Sequence, residues 1–335
     1  MIHGMSDHSS GWGLKTYLDP IIKDATWRLD PRETREERVD VTGVSIGGTF
    51  VAILRRYIMT DVGSGHQIIA YELTWSPLVE PFKRKRFTVD LEQCRPVVNK
   101  YIRNVLDENI ADVALYVSRF DNDILARSVS RALEMFYRGE MDGATGSTPQ
   151  NDLRESPVVF ITESLGSKML FDAVADHDAK EIALGTPGHD THFDDMVIKG
   201  HYVFMMANQL ALLDMPDPSD VGPVPSDSSP VAPKVFSRLS GFITAREHAR
   251  GRRPEMRTPL PLLFVAFNDP YDDLTYSIEQ PDFPAGFDVS IDNFFSHNVK
   301  WDWFGLIENP GKAHTTYGGN PDVIKLVVHG YATGS

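Results

Sequence analysis

The sequence predicts an α/β fold: a mostly parallel sheet with helices on both faces, an N-terminal hairpin and insertions. Strongly apolar, strand-like runs alternate with helix-periodic runs through the middle and C-terminal parts. Residues 39–45 and 49–60 alternate apolar and polar side chains around Ile46-Gly47-Gly48, as the two arms of a hairpin do. At 335 residues and 41% hydrophobic content the chain can bury a sizeable core, and one large domain over 1–335 with insertions accounts for its length.

The elements follow in order. Ile2-His3-Gly4-Met5 opens the chain, and residues 14–25 have helical spacing. After the hairpin, residues 66–75 read as a strand through Ile68, Ile69, Tyr71 and Leu73. The basic run Lys83-Arg84-Lys85-Arg86 reads as solvated surface. Helices are expected over 91–115 and 123–137, and a polar, Gly-rich loop over 139–151. A strand ends at Ser164 and a helix follows over 165–175. Residues 177–195 and 216–233 read as loop or lid insertions, the first rich in His and Asp, the second in Pro, Ser and Asp. Strands are expected to begin at 201 and to cover 260–267 and 287–295, and helices to cover 236–249 and 321–329.

Composition excludes several classes of function. A net charge of −14 argues against nucleic acid or an anionic membrane surface as the main partner. No apolar run is long enough to span a bilayer, and no secretory signal precedes the fold. The single cysteine, Cys94, excludes an internal disulfide and any Cys-rich zinc site. These features point to a cytoplasmic protein.

The most informative stretch is Val158-Val159-Phe160-Ile161-Thr162-Glu163-Ser164-Leu165-Gly166. A short apolar strand stops at a serine, a glycine follows two residues later, and a helix begins. A sharp strand-to-helix turn exposes a serine hydroxyl at the carboxyl end of a sheet, over a helix N-terminus. The plainer reading is a strand, a turn and an N-cap serine. Two further places bear on the choice. The strand over 260–267 runs into Asn268-Asp269-Pro270-Tyr271-Asp272-Asp273, where an acid is well placed to orient a histidine; a simple Asx or Pro turn explains at least one of these aspartates. Asp272 is favoured, with Asp269 as the alternative because it lies nearer the strand end. His314 lies among small residues in Asn309-Pro310-Gly311-Lys312-Ala313-His314-Thr315, expected to be a loop suited to shuttling a proton. His297 and His329 compete for that role; a structural one suits His329 better.

The order Ser, Asp, His, each after its own strand, together with His3-Gly4-Met5 near the start, resembles the α/β-hydrolase superfamily, and within it bacterial serine esterase- or lipase-like hydrolases. The resemblance extends from His3 to His329. It implies Ser164 as nucleophile, His314 as its base, Asp272 (or Asp269) as the orienting acid, and the amides of Met5 and Leu165 as an oxyanion hole. It further implies a small-molecule ester as substrate, no cofactor and no metal. The implied reaction is ester hydrolysis by acyl transfer; the same apparatus serves thioesters, amides and lactones. A hydrolase-fold protein without catalysis, acting as a ligand-binding or interaction module, is the alternative, and the presence of all three side chains favours the enzyme. Two features depart from the family pattern. Thr162 stands where the first glycine of G-x-S-x-G is expected, with Glu163 before the serine; and the strand before His3 is nearly absent, the hairpin standing in its place.

Other features are secondary. His177, His189, Asp190, His192, Asp194 and Asp195 suggest a solvated loop near the site mouth more than a metal site, because their spacing fits no strong ligand motif. Trp301, Trp303 and Phe304, with Phe294 and Phe295, are core residues or the lining of an acyl pocket. Glu163 reads as an anchor of the turn.

Overall fold

The structure is a computed structural model. It describes residues 1–5, 8–25, 27–29, 34–43, 48–87, 111–118, 120–142, 156–184, 190–213, 237–256, 260–278, 288–298 and 310–330. The chain divides into two compact units, Met1–Ala132 with Ile324–Ser335, and Leu133–Val323.

The first unit is built on an antiparallel sheet of β1 (Trp27–Leu29), β2 (Arg35–Gly43), β3 (Gly48–Asp61) and β4 (Gln67–Thr74), with the long β3 pairing with all the others. The expected hairpin is present and begins earlier than its alternating pattern, at Arg35, which pairs with Arg56. The β3–β4 turn is closed by Asp61, whose carboxylate accepts from the backbone of Gly63 and Ser64, while Gly65 takes a φ of 74° that favours glycine. Ile2, before His3, makes a single parallel bridge to Leu73. A π-helical stretch, Leu14–Leu18, continues into α1 (Asp19–Ala25), placing Leu18 against Tyr57 and Met59 of β3.

The basic run lies in α2 (Glu80–Phe87), and one of its members is not solvated surface: Lys83 is buried and pairs at 3.1 Å with Asp112 of α3 (Ala111–Val117). Most of the helix expected over 91–115 falls outside the described residues. His329, at the end of the helix Pro321–His329, pairs with Asp24 at 3.1 Å on the surface. The helix expected over 123–137 is α4 (Phe120–Tyr137).

The second unit contains a wholly parallel sheet in the order β5 (Val158–Glu163), β6 (Gly200–Met206), β7 (Leu262–Asn268), β8 (Val289–Phe295). Every residue of β7 is buried, as an interior strand covered on both faces requires. The flanking helices include α5 (Leu165–Leu184), α6 (Thr191–Ile198), α7 (Leu210–Leu213) and α8 (Ser237–Arg252). Phe160 of β5, Phe171 of α5, Phe242 of α8 and Phe264 of β7 meet edge to face, with ring centroids 5.5–6.0 Å apart, and tie helices to sheet. Gly241 lets α8 approach α5 closely: a Cβ there would lie 2.9 Å from the Cβ of Ala175.

The stretch 177–195 is largely helical, contrary to the loop expected from its composition: α5 runs on to Leu184 and α6 starts at Thr191, capped by the Asp190 side chain. Its aspartates are held by arginines. Asp178 and Asp194 pair with Arg252, Asp195 with Arg253, and Asp190 with Arg138. Residues 216–233 lie outside the described residues, as do most of the loop expected over 139–151. No helix of the described residues is long and apolar enough to cross a membrane.

Candidate active site

Because the four strands of the second unit run parallel, their carboxyl ends share one edge, where open α/β sheets bind ligands. Ser164 stands at the end of β5 with a φ of 51°, in the left-handed region that a non-glycine residue rarely occupies. Its backbone N–H donates to the Met206 carbonyl at 2.8 Å, and its carbonyl accepts from Ser167 in the first turn of α5, so the sheet and the helix together fix the turn. Thr162 is accommodated in place of glycine: its hydroxyl shares a 2.8 Å hydrogen bond with Ser167 Oγ and donates to the Phe204 carbonyl at 3.3 Å. Leu165 opens α5, where the first N–H groups have no partner within the helix.

Asp272 and His314 are brought together. His314 Nδ1 and Asp272 Oδ2 are 2.8 Å apart, both residues buried. The other Asp272 oxygen accepts from the Leu274 N–H at 3.1 Å, and Tyr317 Oη donates to Oδ2 at 3.4 Å. Burial, reinforced by the charges of Asp272 and Asp269, pushes the Tyr317 phenol far above its ordinary pKa, so it stays a donor. The two candidate acids separate by their contacts. Asp269 gives both oxygens to the backbone, to Tyr271 N–H at 2.9 Å and Asn298 N–H at 2.6 Å, and so builds the turn.

His314 lies in a short helix, α9 (Pro310–Thr315), rather than in the expected loop. Asn298, just beyond β8, donates from Nδ2 to the carbonyl of Ala313, next to His314, and accepts at Oδ1 from Asn320 and Ser296. His297 is exposed; its ring lies 5.6 Å from that of Tyr271. Phe294 is half-buried and packs on Phe267 with ring centroids 5.5 Å apart, Phe295 is exposed, and Trp301, Trp303 and Phe304 lie outside the described residues.

Among the described residues, the hydroxyl of Ser164 meets Gln209 rather than His314, donating to Oε1 at 2.6 Å. Gln209 follows β6 in the turn Ala207-Asn208-Gln209, where Ala207 has a φ of 50°. Asn208 clamps this turn, donating from Nδ2 to the Tyr276 carbonyl at 2.6 Å and accepting from Leu210 N–H. Ser164 and Gln209 are each 1% exposed, and Gln209 Nε2 is buried with no hydrogen-bond partner among the described residues. Sequence reasoning missed Gln209, Asn298 and Tyr317. The polar pair Asn208-Gln209 interrupting the apolar run 202–213 was the one available signal.

Met5 belongs to the first unit, where its carbonyl meets His8 Nε2 at 3.0 Å. In that unit His3 is buried, stacked on Trp75 with centroids 4.7 Å apart, and its Nε2 accepts from the Trp75 N–H. Burial, with His8 close by, holds the His3 pKa well below the ordinary histidine value, so the ring is a neutral structural acceptor. Among the described residues no three of His, Cys, Asp and Glu come together as a metal-binding group. Compared with protein-family models, curated proteins and solved structures, the chain matches none.

Proposed function

We propose that the protein is a serine hydrolase that cleaves carboxylic esters through an acyl-enzyme on Ser164, with His314 as base and Asp272 as orienting acid. The observation that carries this reading is the buried 2.8 Å contact between His314 Nδ1 and Asp272. A carboxylate on Nδ1 fixes the tautomer that leaves Nε2 as the proton acceptor. Support also comes from the left-handed turn at Ser164, since strain of this kind gathers at functional sites. In the proposed cycle Ser164 Oγ attacks the ester carbonyl as His314 takes its proton. The carbonyl oxygen gains charge, and the Leu165 N–H at the start of α5 is suited to meet it. Collapse expels the alcohol with that proton, and water then releases the acid by the same route.

The bond from Ser164 to Gln209 favours a second reading, a hydrolase-fold module that binds ligands without catalysis. A fluorophosphonate probe separates the two. Labelling of the folded protein at Ser164, with hydrolysis of p-nitrophenyl esters, is expected; refusal of the probe by a folded sample, with no hydrolysis, selects the module.

A further inference from the structure

We infer that Gln209 is a side-chain oxyanion donor, its amide presenting oxygen to Ser164 in the free protein and nitrogen to the substrate's carbonyl oxygen during acyl transfer; this rests on the ester-hydrolase reading above. Two facts carry it. Gln209 Oε1 is the acceptor 2.6 Å from the Ser164 hydroxyl, so the amide lies beside the reacting atom. Its Nε2, on a residue 1% exposed, has no hydrogen-bond partner among the described residues. Leaving a buried N–H unpaired is costly, and a group so placed beside a nucleophile calls for an acceptor that arrives with the ligand.

Attack supplies that acceptor. The Oγ–carbon bond forms, the carbonyl π pair moves onto oxygen, and the hydroxyl proton leaves for His314. Oγ then has no proton to donate, and Gln209 Oε1 faces an oxygen that only accepts. The terminal torsion of glutamine is soft and roughly two-fold, so the amide can turn and bring Nε2 toward the new anion. When water has released the acid from the acyl-enzyme, Oγ takes back a proton from His314 and the amide returns. The same bond that holds Ser164 before substrate arrives is thereby exchanged for one made at the transition state, which is where a donor accelerates the reaction.

The test is Gln209→Met, which keeps the length of the side chain and removes both polar atoms. Against p-nitrophenyl esters kcat is expected to fall by about 100-fold or more while KM stays within about threefold. The rate of fluorophosphonate labelling at Ser164 should fall in step, because the phosphoryl oxygen needs the same donor. The melting temperature should hold or rise. Gln209→Glu keeps the shape and the acceptor. In alkaline buffer its carboxylate would face the developing charge, and turnover should be slower still. Near wild-type kcat in Gln209→Met, a change in KM alone, or an active Gln209→Glu at alkaline pH overturns the inference while Ser164 labelling of the wild type upholds the hydrolase reading. A loss of kcat matched in both variants by a fall in melting temperature also overturns it. A wild-type protein that neither labels nor hydrolyses removes the hydrolase reading, and the inference with it.

Discussion

Glu72 of the first unit and Gln209 of the second are both buried polar side chains, and their surroundings differ in kind. Glu72 is saturated: one oxygen accepts from Gly11 N–H and Thr74 Oγ1, the other from Leu14 N–H and Tyr57 Oη. It thereby joins β4 to β3 and to the start of the helical segment. Burial and the carboxylate together push the Tyr57 phenol above its ordinary value and keep it a donor. Among the described residues the Gln209 side chain makes a single bond, to Ser164, and leaves its nitrogen unpaired; Ser164 and Ala207, just past the ends of adjacent strands, are both left-handed. A polar group that only braces a fold can have all its partners built in. A group that must meet an incoming ligand keeps one position open, at a cost to the empty protein.

The largest effect that sharpens this contrast is expected from Ser164→Ala. It removes the proposed reacting atom and little volume, so ester hydrolysis should fall by roughly three or more decades while the melting temperature changes little. Retention of more than about a tenth of wild-type turnover would break the assignment. Asp272→Asn comes next, with an expected loss of turnover on the order of 10²–10⁴ as the His314 tautomer is released. Asp269→Asn should instead cost about 1–3 kcal/mol of stability, because one of its two backbone contacts is broken. The reverse ranking in steady-state rates would transfer the orienting role to Asp269.

Glu72→Ala acts on the saturated cluster. Four donors lose their acceptor together, and unfolding by denaturant should show a loss of about 3 kcal/mol or more. Hydrolysis by the protein that remains folded should be unchanged; a selective loss of kcat would show that the two clusters are not separate in function. The smallest effect is expected at Gly241→Val. Its branched side chain would meet the Cβ of Ala175 where α5 and α8 touch, and overpacking of this kind costs about 1–3 kcal/mol. A melting curve reads that loss, and Ser164 labelling should stay as in the wild type.

The strand-to-helix turn at Ser164 and the strand that runs into Asp269 and Asp272 were legible in the sequence because each is marked by a recognisable apolar run. The choice between Asp269 and Asp272 was not, since both occupy one turn and only the partners of their oxygens separate them. Gln209 was hidden for a related reason. The turn that aims it depends on a positive φ at Ala207, and alanine carries no signal for that conformation. Composition misled at 177–195, where polar residues suggested loop. The helices there are tied by Arg252 and Arg253, distant in sequence from the acids they hold, and such pairings leave no local pattern. Lys83 was misread in the same way, its partner Asp112 lying outside the basic run.

The hydrogen bond between Thr162 and Ser167 restricts how this turn can drift in evolution. Exchange of Thr162 for glycine alone would strand the buried Ser167 hydroxyl, and loss of the Ser167 hydroxyl alone would remove one of the two bonds that let threonine fit beneath the turn. Each single step is therefore penalised by what the other position still holds. Descendants of this chain are expected to keep both residues or to replace both, so the two positions should change as a pair across related sequences.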